Sequence, residues 1–433
     1  MAERDPHTPP ERPRNARQPG VLSVPQALST PESWLDPFEW YAEMRETEPV
    51  HWDADRECWD VFRHADVSAV LSDPETFSSD PRNASNEAFR RASEDVEMET
   101  MLGSDPPKHE HLRGVVEEHF RPRAVADLAP RIEEIAEDCL DDVLADGEMD
   151  VVADLAYPLP VIVIAELLGI PSEDRETFKR WSDSLVETPT ERTEAAAREV
   201  EDRRQQTLDE LREYFDDLID QRKADPGDDL ISKVVTAEIE HRPLSAEEMR
   251  GFCVLLLVAG NVTTTNLLTN AVWTLTEHPD ALARLQSEPT LLTKAVEEVL
   301  RYRSPVQALG RVATTDTTLG GQSIRQGDVV VTWVGSANRD PAAFDRPEEF
   351  VVDRTPNQHI AFGRGIHYCL GAPLARLESR LALSELLDSV DDIEAVATAD
   401  QLTPVRSAFI YGVEAFPVRF VAPGSDVRRP PPA

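Results

Sequence analysis

One stretch of this 433-residue chain, His359 to Gly371 (HIAFGRGIHYCLG), restricts the possible folds more than any other. Cys369 follows two glycines, Gly363 and Gly365, precedes Gly371, and stands where an apolar helix is predicted to begin, about Leu370 to Leu387. Glycines let backbone approach a flat ligand closely, and free N–H groups at a helix start lower a thiol's pKa and favour the thiolate. A turn, a sulfur and a helix start must therefore share one place in the fold. The same residues would also suit a small buried cysteine at a turn, the usual fate of a lone thiol. Cys58, Cys139 and Cys253 lie far apart with no Cys-x-x-Cys spacing, which suggests neither a disulfide framework nor a zinc site.

Helical periodicity dominates from about Asp105 to Arg303. Val125, Leu128, Ile132, Ile135, Leu140 and Leu144 form an apolar stripe over Ala124 to Leu144. An apolar helix over Val161 to Leu168 stops at Gly169 with Pro171 beyond, and a charged one spans about Glu191 to Arg222. A long helix starts at Ser245, which can form a capping box with Glu248, and runs to Glu277. Shorter helices follow at about Asp280 to Gln286 and Leu291 to Arg303. Gln307 to Val334 and Val50 to Phe62 are rich in β-branched residues and turns, which predicts short strands. The expected architecture is mainly α with a minor β subdomain: one domain over residues 31–423, between Pro-rich polar arms at 1–30 and 424–433 that read as disordered or loosely docked.

With 44 basic against 82 acidic residues, the formal charge of −38 argues against nucleic acid or an anionic membrane surface as partner. Only five of the basic residues are lysine (108, 179, 223, 233 and 294), which is not the Lys-and-Glu enrichment of thermophiles. Many carboxylates with almost no lysine suit a protein kept hydrated in concentrated salt, so a halophilic host is expected, against the plainer alternative of an acidic mesophilic protein. Stability followed from low to molar salt separates the two. The N-terminus lacks a secretory apolar stretch, and the longest apolar runs, Val161 to Ala165 and Phe252 to Ala259, fall short of a membrane span. The expected compartment is the cytoplasm.

A thiolate held at a glycine-rich helix start is an axial ligand for haem iron, where it pushes electron density towards O–O cleavage. The stretch resembles the haem-binding loop of the cytochrome P-450 family, whose pattern is Phe-Gly-x-Gly-x-His-x-Cys-x-Gly. Phe362, Gly363, Gly365, His367, Cys369 and Gly371 match every fixed position. By that resemblance Cys369 is the proximal ligand of heme b, Phe362 shields the sulfur, and His367 hydrogen-bonds a propionate. Three further segments match in order, and the resemblance extends from Trp34 to Val421. Glu298 and Arg301, three apart on a helix and commonplace alone as a solvated pair, resemble the family's Glu-x-x-Arg. With Arg354 they imply a buried structural network behind the haem.

In the long helix, Ala259-Gly260-Asn261-Val262-Thr263-Thr264 is similar to the family's oxygen-binding bend, with Gly260 leaving room for dioxygen and Thr263 aiding proton delivery. Gly inside a helix and a mid-helix Thr invite a local opening, while a plain helix-packing contact at Ala259-Gly260 is the alternative. Val262 departs from the family, which places an acid there, so protons must come from elsewhere, for instance through water held by Asn261. The Asp105-Pro106-Pro107-x-His109-x-x-x-Arg113 segment assigns His109 and Arg113 to propionates, and Arg311 joins them. His111 and His359 receive no role.

The resemblance implies a monooxygenase that inserts one atom of O2 into a lipophilic small-molecule substrate, with electrons from a ferredoxin and ferredoxin reductase docking near Arg364 and Arg376. Its rivals are a peroxide-using or reductant-independent haem-thiolate enzyme and a non-enzymatic haem sensor. Pocket candidates by family position are Leu256, Val306, Ala308, Leu309, Phe409 and Ile410, beneath a lid from about Thr76 to Leu102.

Overall fold

The computed structural model describes residues 24–87, 89–90, 100–171, 174–191, 193–239 and 241–421. Residues 1–23 and 424–433 of the two expected arms, and 88 and 91–99 of the expected lid, lie outside these. From Val24 the chain is packed: Leu28 is buried, and its carbonyl accepts Trp34 Nε1–H at 2.9 Å.

The helices that matter for the site are α1 (Lys108–Val116), α2 (Ala129–Leu144), α3 (Pro158–Leu168), α4 (Arg175–Val186), α5 (Glu194–Ala224), α6 (Ala246–Glu277), α7 (Leu292–Tyr302) and α8 (Ala372–Ser389). The stripe predicted over Ala124 to Leu144 forms two helices, Pro122–Ala126 and α2, because Pro130 has no N–H to continue a helix but suits the first turn of a new one. Gly169 ends α3 in the left-handed conformation, φ 74°. The capping box at α6 forms with both its bonds: Glu248 N–H to Ser245 Oγ at 3.1 Å and Ser245 N–H to Glu248 Oε2 at 2.8 Å. At 32 residues α6 runs about 48 Å, long enough to touch both the core and the site.

The main sheet has five strands, β1 (Val50–Asp53), β2 (Cys58–Val61), β3 (Phe77–Ser78), β4 (Ala308–Ala313) and β5 (Val329–Trp333), in the order β1-β2-β5-β4-β3. β5 is central, parallel to β2 and antiparallel to β4, and all five of its residues are buried. Its run VVVTW is what a strand covered on both faces requires. A smaller sheet joins Asp392–Ala395, Pro417–Val421 and Glu148–Asp150.

Although no uninterrupted apolar run is long enough, two helical stretches among the described residues, Val151–Leu168 and Ala246–Glu277, reach the length and apolarity of a membrane span. In the most apolar 18 residues of each, 61% and 67% are buried inside the protein. They supply core to one large apolar cluster built around α6, α2, α3 and α8.

Candidate active site

The stretch around Cys369 forms a loop that closes on itself. Cys369 N–H donates to the Phe362 carbonyl at 2.9 Å, Tyr368 N–H to Gly365 at 3.1 Å, and Gly363 N–H to Ile360 at 2.9 Å. Gly363 and Gly365 hold φ of 71° and 68°, where a side chain is strained. A Cβ on Gly365 would also lie 2.7 Å from the Leu71 carbonyl oxygen, so the glycine serves a backbone contact within the protein as well as the turn. Gly365→Ala is expected to lower stability by about 1–3 kcal/mol, read as an earlier urea midpoint. At Gly371 a Cβ would meet nothing within 4 Å. α8 starts just beyond, with Gly371 as its N-cap.

Cys369 opens onto a cavity of about 320 Å³, within the range of small-molecule sites. α6 forms one wall through Leu256, Ala259, Gly260, Thr263, Thr264 and Leu267, facing Cys369, Leu370 and Gly371. Burial pushes the Cys369 thiol up, against the expectation from its helix start. The N–H groups of Gly371 and Ala372 and the cations Arg113 and Arg376 pull it down, but desolvation outweighs them. A cation bound at the sulfur reverses that balance, since metal ligation takes the thiolate.

His109, Arg113, Arg311 and His367 gather at one side of the loop. The rings of His109 and His367 lie 4.3 Å apart, and both ring nitrogens of His109 and Nε2 of His367 are buried without a partner. Burial, reinforced by Arg311, His109 and Arg113, drives His367 down to about 3, and burial lowers Arg311 to about 10. Arg113 Nη1 donates to the Tyr368 carbonyl at 2.9 Å. Buried donors without acceptors are costly, and two carboxylates are the chemistry that would satisfy them. An apolar cavity with a thiol on one wall and such donors on its rim fits a porphyrin carrying two propionates.

α6 runs unbroken past Gly260, which corrects the expected opening. Thr263 donates its hydroxyl to the Ala259 carbonyl at 2.8 Å without disrupting the helix. A Cβ on Gly260 would sit 3.4 Å from Ile164 of α3, at ordinary van der Waals contact, and the glycine lines the cavity. Val262 is buried, and Asn261 is buried with neither amide atom bonded. Neither residue is among those that line the cavity.

Behind the loop, Glu298 of α7 accepts from Arg301 at 2.8 Å on each oxygen, from Arg354 Nε at 3.0 Å, from Val351 N–H at 2.9 Å and from Asn357 Nδ2 at 3.2 Å. Arg301 also donates to the carbonyls of Asn338, Pro347 and Glu349. Val351 and Asn357 were not legible, because a backbone N–H and an isolated amide leave no sequence pattern.

Leu256, Val306 and Leu309 line the cavity, with Met101 and Leu102 from the expected lid. Ala308, Phe409 and Ile410 do not: Ala308 and Phe409 pack on Trp333, and Ile410 bridges Val306. Phe120, Pro160 and Ile164 line it unforeseen.

Glu378 of α8 was missed as well. It lines the cavity, is 2% exposed and has Oε1 unpartnered, and burial raises its carboxyl to about 8. Its position in the stripe Leu374, Glu378, Leu381, an acid among leucines, was the available signal. Since its pKa is raised, the folded protein keeps a proton that the unfolded chain loses above about 4.5. Its stability contribution is therefore full below that pH and is lost as pH rises through 8. We expect stability to fall by about 1.4 kcal/mol per pH unit between pH 5 and 8 from this group. Glu378→Gln should remove that slope, as measured by urea unfolding of both proteins at pH 5, 6.5 and 8.

A helical body in which a cysteine loop and an apolar helix line one donor-rimmed cavity has the shape and chemistry that a thiolate-held porphyrin requires. A family model described as Cytochrome P-450 matches residues 40–391. The erythromycin C-12 hydroxylase of Saccharopolyspora erythraea is 44% identical over 356 residues, 81% of this chain and 86% of the relative. The putative cytochrome P-450 YjiB of Bacillus subtilis is 44% identical over 384 residues, 88% and 93% of the two chains. The crystal structure of CYP109E1 from Bacillus megaterium in complex with testosterone superposes with a TM-score of 0.83 at 43% identity, covering 90% of this chain and 99% of that one. The chain belongs to the cytochrome P-450 family, which implies haem held by a cysteine thiolate, and it is an enzyme of the monooxygenase class.

Proposed function

We propose that this enzyme binds heme b through Cys369 and inserts one atom of O2 into a lipophilic small molecule, taking electrons from a ferredoxin and its reductase in the cytoplasm of a salt-loving host. The observation that supports this reading is the cavity lined both by Cys369 and by the apolar residues of α6. When bound, the haem supplies oxygen activation and electron storage. Phe362 covers the sulfur, Gly363, Gly365 and Gly371 shape its loop, and His109, Arg113, Arg311 and His367 take the propionates. Gly260 leaves space beside the helix, and Thr263 lines the cavity with its hydroxyl hydrogen held by the Ala259 carbonyl. The wall made by Leu256, Val306, Leu309, Met101 and Leu102 excludes water and takes an apolar substrate. Relatives whose names include testosterone and erythromycin support a substrate of steroid or macrolide size.

One observation favours a second reading. Val262 is apolar and buried where the family pattern places an acid, so a peroxide, which brings its own electrons and protons, would relieve the site of that delivery. Both readings are tested with ¹⁸O-labelled dioxygen and a steroid panel. Labelled hydroxyl in product, dependent on NAD(P)H and ferredoxin, supports the first. Unlabelled product formed with hydrogen peroxide alone supports the second, and absence of any product with intact ligand binding points to a haem sensor.

A further inference from the structure

Glu297 neighbours the hub residue Glu298 on α7 but takes no part in that hub. Its carboxylate accepts from Arg376 Nε at 2.6 Å and Nη2 at 2.9 Å, and lies 2.9 Å from His359 Nε2. The same guanidinium donates to Tyr368 Oη at 3.0 Å and stacks 4.5 Å from the centre of the Phe362 ring. Arg376 therefore touches the residue whose carbonyl accepts the Cys369 N–H and also the residue immediately before Cys369. A guanidinium gripped at two nitrogens and stacked on a ring keeps its place. Ungripped, it would extend into water, where a high dielectric mutes its field.

We propose that Glu297 is a positioning residue: by holding the Arg376 guanidinium against Phe362 and Tyr368, it fixes a positive charge behind the Cys369 sulfur and so sets the reduction potential of the haem bound there. The inference rests on the haem reading above. A nearby cation stabilises whichever oxidation state carries the extra electron, so the held charge raises the potential.

The test is spectroelectrochemical titration of the haem-loaded wild type, Arg376→Gln, Arg376→Lys and Glu297→Gln at one pH and salt concentration, after recording absorbance under carbon monoxide. Without thiolate-type absorbance in the wild type the haem reading fails, whatever the variants do. With it, Arg376→Gln is expected to shift the ferrous-to-ferric ratio at a fixed potential at least threefold towards ferric, about 30 mV for one electron. Arg376→Lys keeps the charge but not the fork and should shift less, in the same direction. Glu297→Gln is decisive, because deleting a negative charge would by itself raise the potential, whereas losing the grip on Arg376 lowers it. A raised or unchanged potential in Glu297→Gln, or an unchanged one in Arg376→Gln, overturns the proposal. If Arg376→Gln retains no haem, the other two variants decide it. A purely structural role would change haem retention and leave the potential where it was.

Discussion

Cys369→Ser is expected to abolish the thiolate-type absorbance under carbon monoxide and to lower monooxygenation by at least about 100-fold. Mutating even the outer partners of a metal ligand costs about 10- to 100-fold in affinity or activity, and here the ligand itself is replaced. A serine oxygen cannot supply the polarisable electron push that a thiolate gives. The loop should survive the change, because its hydrogen bonds run through the Phe362, Gly365 and Ile360 carbonyls and not through the side chain. Circular dichroism and the urea midpoint should therefore stay close to wild type while the absorbance changes. Thiolate-type absorbance retained by the serine variant would refute the assignment of Cys369.

Glu298→Gln is expected to destabilise the protein by about 3–5 kcal/mol. Arg301 has a fully buried side chain and Arg354 is 7% exposed, so removing their shared carboxylate leaves two cations uncompensated. The comparison is Glu134→Gln at the exposed pair with Arg131, whose side chains are 61% and 43% exposed and where about 0–1 kcal/mol is at stake. Urea unfolding of both variants at pH 7 tests the contrast. A Glu298→Gln midpoint no lower than that of Glu134→Gln would mean that the hub contributes no net stability.

Local chemistry made much of this legible. Glycines with positive φ and a serine three residues before a glutamate act within one turn, so the Cys369 loop and the cap of α6 can be read from the chain alone, whereas the break before α2 at Pro130 was hidden by an apolar stripe that continues across it. Glu298 and Arg301 were visible as a pair, but only a resemblance brought in Arg354, since nothing local connects residues 298 and 354. The direction of the Cys369 pKa was misread for the same reason: a helix start is local, whereas burial is decided by α6 and the whole cavity. The unbroken α6 shows the limit of propensity, because Thr263 finds its acceptor inside the helix and the helix continues through Gly260. Whether Val262 or Asn261 faced the cavity depended on the rotation of α6, which a helix buried on nearly every side does not declare.

The Glu298 hub also fixes an order of biogenesis. Glu298 and Arg301 lie within one turn of α7, but the remaining donors and acceptors come from Asn338 to Asn357. No nascent fragment ending before Asn357 can close the hub, and translation reaches Cys369 only afterwards. The chain thus presents its sulfur late in synthesis, after every residue of the brace behind it has been made.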